Sequence, residues 1–195
     1  MNTPDIVAAL APIIDVFDEL SVSYSVVGSV ASSAHGVARA TLDADLVADL
    51  KTEHVDALVD ALIDDYYVDR DAAMDAVRRR AMFNLVHLQT MLKVDVYVLT
   101  GRPFDRESFR RRQEAPLEDA EGARRYAVDT PEDTVLHKLE WYRAGGEVSD
   151  RQWSDILGVL KVQSGDLDFA YTRRWAADLG VEDLLDRAIE QAEAS

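Results

Sequence analysis

Asp43 and Asp45 stand one residue apart in a stretch of strict alternation. Leu42, Ala44, Leu46, Ala48 and Leu50 fall on one side; Asp43, Asp45, Val47 and Asp49 fall on the other. A period of two with one apolar face predicts a strand, so the two carboxylates project from the same face. Charges held that close repel unless a cation lies between them. A hard, oxygen-seeking ion such as Mg²⁺ suits such a pair, and it commonly brings phosphates with it. Just upstream, residues 24–27 read as a short buried strand, and Gly28-Ser29 follows at once as a sharp turn. Glycine there permits positive φ and close backbone approach. The small residues from Ser29 to Ala34 can open a helix, whose free N–H groups and positive dipole end suit a phosphate. A third acid, Asp95, sits in Lys93-Val-Asp-Val-Tyr-Val among β-branched neighbours. A lone buried carboxylate is costly, so Asp95 needs a partner: a metal ion or a cation such as Arg39.

These groups must be placed by the elements around them. Residues 83–88 and 93–98 form an expected hairpin, with Val94, Val96 and Val98 on one face and Lys93, Asp95 and Tyr97 on the other. Ile6, Leu10, Ile13, Ile14 and Phe17 recur at helical spacing, as do Val55, Leu58, Val59 and Leu62 behind a cap at Thr52. Residues 69–80 and 104–112 are expected to be charged helices, and 115–128 to be irregular with a strand at 125–128. Thr130-Pro131-Glu132-Asp133 is a strong helix start, and Gly145-Gly146 a stop. Ser149 caps the next helix, with Trp153, Ile156, Leu157 and Leu160 as its stripe, and two more helices follow, separated by Gly180. The pattern is α+β: a mixed sheet flanked by helices over 1–128, then an all-helical lobe over 129–195 packed on that core.

Composition narrows the function classes. Of 195 residues, 48% are hydrophobic, the share of an ordinary globular protein. No apolar run approaches the roughly 18 residues of a membrane span. The N-terminal stretch carries Asp5 and no early basic residue, unlike a signal peptide. With no cysteine, disulfides and thiolate metal sites are excluded, and the expected location is cytoplasmic. The 37 acids against 21 lysines and arginines leave a net charge of −16, which opposes non-specific binding to nucleic acid. Such a surface fits either a GC-rich genome or adaptation to high salt.

The order Gly28-Ser29, then Gly36, Arg39-x-Thr41 and Asp43-x-Asp45 on a strand, resembles the nucleotidyltransferase superfamily, the polymerase-β-like fold. The longer pattern resembles the branch holding the abortive-infection (AbiEii-type) toxins. That resemblance implies a site in which Asp43, Asp45 and Asp95 ligate two Mg²⁺ ions and act in catalysis, while Gly28, Ser29, Arg39, Thr41 and Lys138 bind nucleotide. Relatives carry Lys-Leu in the first helix after the core and Arg/Lys-x-x-x-Asp in the next, matched by Lys138-Leu139, Arg151 and Asp155. Lys138 then serves the triphosphate, pairs with Asp155 between two helices, or does both. The implied activity transfers a nucleoside monophosphate from a nucleoside triphosphate to a hydroxyl on a protein, an RNA end or a small molecule. A different class also fits: a non-catalytic member of the fold that binds a protein partner, as one half of a toxin–antitoxin pair. The plainest alternative is a buried strand whose two aspartates are merely solvated at an edge.

Overall fold

The computed structural model of the chain describes residues 3–38, 40–41, 43–118 and 120–194, with the side chains of residues 3 and 4 left out. Arg39 and Leu42 therefore lie outside the described residues. In chain order the elements are α1 (Thr3–Glu19), β1 (Tyr24–Val27), α2 (Gly28–His35), β2 (Asp43–Ala48), α3 (Thr52–Leu62), β3 (Tyr66–Tyr67), α4 (Arg70–Arg79), β4 (Met82–His87) and β5 (Lys93–Val98). Then come α5 (Pro103–Arg111), β6 (Gln113–Pro116), β7 (Arg125–Val128), α6 (Pro131–Ala144), α7 (Asp150–Val162), α8 (Phe169–Leu179) and α9 (Glu182–Glu193).

The described strands form one seven-stranded sheet in the order β3-β4-β5-β2-β1-β7-β6. β2 pairs with β1 antiparallel and with β5 in parallel; β1 pairs with β7 in parallel. The sheet is mixed, and the acid-bearing strands β2 and β5 are central and adjacent. The alternation of β2 has the expected result: Ala44, Leu46 and Ala48 are fully buried, in the same apolar cluster as Leu10, Ile13 and Phe17 of α1 and Val55, Leu58 and Leu62 of α3. Val94 and Val96 of β5 join them. Covering that face with helices leaves Asp43, Asp45 and Asp95 on the other.

A second apolar cluster is built from α6 to α9: Val135, Leu136, Leu139, Ile156, Val159, Leu160, Leu184 and Leu185. Phe104 of α5 belongs to it, so the lobe reaches back into the sheet region. The lobe is tied to the sheet through α2. His35 Nε2 meets the backbone oxygen of Asp129 at 2.5 Å, and Gln163 Nε2 donates to the backbone oxygen of His35 at 2.8 Å. Burial lowers the His35 pKa, so the ring is neutral and its Nε2–H is the donor.

Gly36 makes this closeness possible. A Cβ there would lie 2.9 Å from the Ser32 oxygen, 2.9 Å from the Val159 nitrogen and 3.0 Å from the Gly158 carbon. All three are backbone atoms, so nothing can swing away. Gly36→Ala should destabilise the chain by about 1–3 kcal/mol in urea unfolding, as overpacking of a fitted contact does. Gly101→Ala is the control, because its nearest neighbour would be the Arg106 side chain at 3.7 Å. Equal loss in the two variants would contradict the packing account.

Local differences from the sequence reading have physical causes. Thr52 is the first helical residue rather than the cap: His54 Nδ1 accepts from the Lys51 N–H at 3.2 Å, closing the helix start from inside. Residues 113–116 form β6, pairing antiparallel with β7, although Glu114 and Pro116 are poor strand formers. At the sheet edge Pro116 can keep its missing N–H turned away from the partner. Thr130 does cap α6, its Oγ1 accepting from the Asp133 N–H at 3.2 Å. Asp133 goes beyond the helix dipole. It is fully buried and receives hydrogen bonds from Thr130 Oγ1 (2.7 Å), Tyr171 Oη (2.6 Å) and Arg111 Nε (3.2 Å).

Candidate active site

The register sets the site. Asp45 lies opposite Asp95 across the β2–β5 ladder and opposite Val27 across the β1–β2 ladder; Asp43 lies opposite Lys93. The N-terminal halves of β2 and β5 thus meet the C-terminal end of β1, where Gly28 turns the chain into α2. Gly28 has φ +64°, and a Cβ on it would sit 2.1 Å from Asp45 Oδ2. Only glycine lets the Asp45 carboxylate lie against that turn.

A cavity of about 520 Å³ opens here. Its lining includes Gly28, Ser29, Asp43, Asp45, Asp95 and Lys138, so six of the eight residues singled out as candidates share one space. Thr41 is buried and not part of the lining; its Oγ1 donates to Asp43 Oδ1 at 2.8 Å. Arg39 is outside the described residues. Asp49, on the same face by alternation, is exposed beyond the end of β2 and does not line the cavity.

The three acids differ in surroundings. Asp45 is 8% exposed, and its pKa is pushed up to about 6, first by burial and then by the charges of Asp43 and Asp95. Asp95 is 6% exposed. Among the described residues its partner is Lys93, two residues earlier on the same strand face, whose Nζ donates to Asp95 Oδ2 at 2.6 Å; Arg39, the partner named from the sequence, lies outside the described residues. Asp95 Oδ1 is buried with no hydrogen-bond partner among the described residues. Among the described residues no three carboxylate or imidazole groups stand ready as a metal-ligand cluster. The donor set suits a cation: an orphaned buried carboxylate oxygen, a neighbouring carboxyl driven toward protonation by burial and then by like charges, and a glycine turn leaving room beside it.

Lys138 is buried and bonded to Asp155 Oδ2 at 2.8 Å. The ion pair between α6 and α7 is therefore present, and the lysine lines the cavity as well. Arg151 lines the same cavity.

Sequence reading missed Asp129 and His137. Asp129 follows the last residue of β7, beside β1, and is 2% exposed. Ser25 Oγ donates to its Oδ1 at 2.7 Å; its Oδ2 has no hydrogen-bond partner among the described residues and lies 3.5 Å from His137 Nε2. Burial pushes its pKa up to about 6. The available signal was an acid at the carboxyl end of a strand, directly before a helix start. The outer wall is formed by Tyr97 and Trp141, with ring centroids 5.5 Å apart, and by Arg102 bonded to both oxygens of Glu140 at 2.7 and 3.0 Å.

This fold has known counterparts. The antibiotic-resistance factor ANT(2'')-Ia superposes with a TM-score of 0.58 at 12% identity, covering 100% of this chain and 97% of that one. An antigenic nucleotidyltransferase-like protein from Paracoccidioides brasiliensis superposes with a TM-score of 0.53 at 14% identity, over 93% and 91% of the two chains. The fold is thus nucleotidyltransferase-like: a mixed sheet flanked by helices, with a helical lobe at the C-terminal end. No protein-family model and no curated protein sequence matches the chain. No helix among the described residues is long and apolar enough to cross a membrane.

Proposed function

We propose that the chain is a Mg²⁺-dependent nucleotidyltransferase, moving a nucleoside monophosphate from a nucleoside triphosphate to a hydroxyl acceptor. The observation that carries this is the ladder register: it sets Asp45 beside Asp95, with Asp43 on the same face, all open to one cavity with the Gly28-Ser29 turn and Lys138. Asp43, Asp45 and Asp95 would hold the metal, which supplies charge neutralisation at the triphosphate and a lowered pKa for the acceptor hydroxyl. The N–H groups opening α2 would receive phosphate oxygens, as helix starts do. Asp95 would also accept the proton of the acceptor hydroxyl. Lys138 would set its charge against the phosphates. The strong negative charge of the chain disfavours a long nucleic acid as acceptor. The Lys138, Arg151 and Asp155 pattern favours the abortive-infection branch, whose members suggest a protein antitoxin as partner.

The test is calorimetry with each nucleoside triphosphate and Mg²⁺, followed by transfer from α-labelled nucleotide in cell extract. Wild type should bind and label a product; the Asp43→Asn/Asp45→Asn double variant should do neither. If both proteins bind alike, or neither binds any nucleotide, the catalytic reading gives way to a partner-binding protein of the same fold.

A further inference from the structure

We propose that Lys93 is the resident cation of the acid cluster: it opposes binding of a free divalent ion and yields its place to a metal that arrives with nucleotide. The proposal rests on the nucleotidyltransferase reading and goes beyond it.

The placement comes from the strands. Lys93 is opposite Asp43, and Asp95 is opposite Asp45, so one ammonium and three carboxylates share a single sheet face. The Lys93 side chain is 44% exposed, whereas that of Asp95 is 8% exposed. The lysine therefore reaches in from solvent and can leave by rotating about its own stem, while the carboxylate stays. A lysine ammonium is charged near neutral pH.

The state of the acids fits this role. Asp95 Oδ2 is taken by Lys93 and Asp43 Oδ1 by Thr41, and no three acids among the described residues are arranged for a metal. A free divalent ion entering the cluster competes with Lys93 for Asp95 and sits beside its ammonium, which repels it. A metal bound to a triphosphate brings the remedy with it. The ammonium released from Asp95 finds phosphate oxygens within reach, and an unfavourable neighbour becomes a favourable one. Lys93 thus couples metal binding to nucleotide binding, and coupling of this kind is reciprocal. Thr41 cannot do the same, since its hydroxyl carries no charge.

Mn²⁺ serves as the probe, read by the electron paramagnetic resonance of free ion in titrations of the full chain, with and without a non-hydrolysable nucleoside triphosphate analogue. Wild type should bind free Mn²⁺ weakly and gain about tenfold or more when the analogue is present. Lys93→Met should bind free Mn²⁺ about tenfold more tightly than wild type and lose most of the gain from nucleotide. Lys93→Gln is the second neutral variant, should the methionine disturb folding, and must behave alike. Lys93→Arg keeps the charge and should resemble wild type. Equal affinity of wild type and both neutral variants for free Mn²⁺, with Mn²⁺-nucleotide bound by all, overturns the role of Lys93 and leaves the transferase reading intact. If no protein takes up Mn²⁺ even with nucleotide, the transferase reading fails and this proposal with it.

Discussion

Asp45→Asn should make the metal-free protein more stable at pH 7 while abolishing metal-dependent nucleotide binding. Asp45 is buried, with Asp43 and Asp95 as neighbours, and its pKa is driven from 3.8 to about 6. The folded chain therefore holds a proton between those pH values that the unfolded chain releases. Stability of the wild type falls as pH rises through that window, because the native state binds the additional proton. At about 1.4 kcal/mol per pH unit the displacement corresponds to a ceiling of about 3 kcal/mol. The amide variant escapes this cost. Its advantage should be absent below about pH 4, grow through pH 4–6 and remain constant above. For a chain of this length each kcal/mol moves the melting temperature by about 2–4 °C. Chelator-treated protein melted at a series of pH values checks it. A variant less stable than wild type at pH 7, or a gain that ignores pH, would show that the acid cluster is not under electrostatic strain. Wild type should recover the deficit when Mg²⁺ and nucleotide are added, and Asp45→Asn should not respond.

The second large effect belongs to Lys138. Its side chain is 8% exposed and that of Asp155 is 5% exposed, with 2.8 Å between them. Removing one partner of a buried ion pair takes compensation from the other charge, and this commonly costs about 3–5 kcal/mol. Lys138→Met should therefore lower stability by about that amount in urea unfolding. Adding Asp155→Asn to Lys138→Met should restore more than half of the loss, since no net charge is then left buried. The double variant also separates the two roles of the lysine. With the fold restored, triphosphate affinity should stay weakened, and weakened more than monophosphate affinity. Full recovery of triphosphate binding would make Lys138 a structural residue only.

The reach of the sequence can be judged from particular residues. The alternation over 42–50 was enough to place Asp43 and Asp45 on the face opposite the core, because burial of Ala44, Leu46 and Ala48 leaves a strand no other orientation. The same logic put Lys93 and Asp95 together on one face of β5. The Thr130 cap, the Gly28 turn and the stripe of α7 were likewise local patterns with local causes. One element and one cap escaped. β6 has a weak intrinsic preference for a strand and exists because β7 offers it a partner. The helix start at Thr52 is closed by His54, a residue whose capping use is uncommon.

What the sequence by itself determined is which groups exist and which face each of them takes, since side-chain periodicity is a property of the single strand or helix. What only the tertiary structure decided is who meets whom. Ladder register chose Asp95 as the neighbour of Asp45, and no local signal specifies which residue of one strand lies opposite which of another. Packing of α6 on α7 bonded Lys138 to Asp155, 17 residues apart. Folding of the lobe against β7 brought His137 to Asp129, at the wall of a cavity that neither segment forms alone. Burial then decided the chemistry. The same carboxyl that would be fully ionised near neutral pH in an open chain is held close to protonation when water is removed and other acids are set beside it.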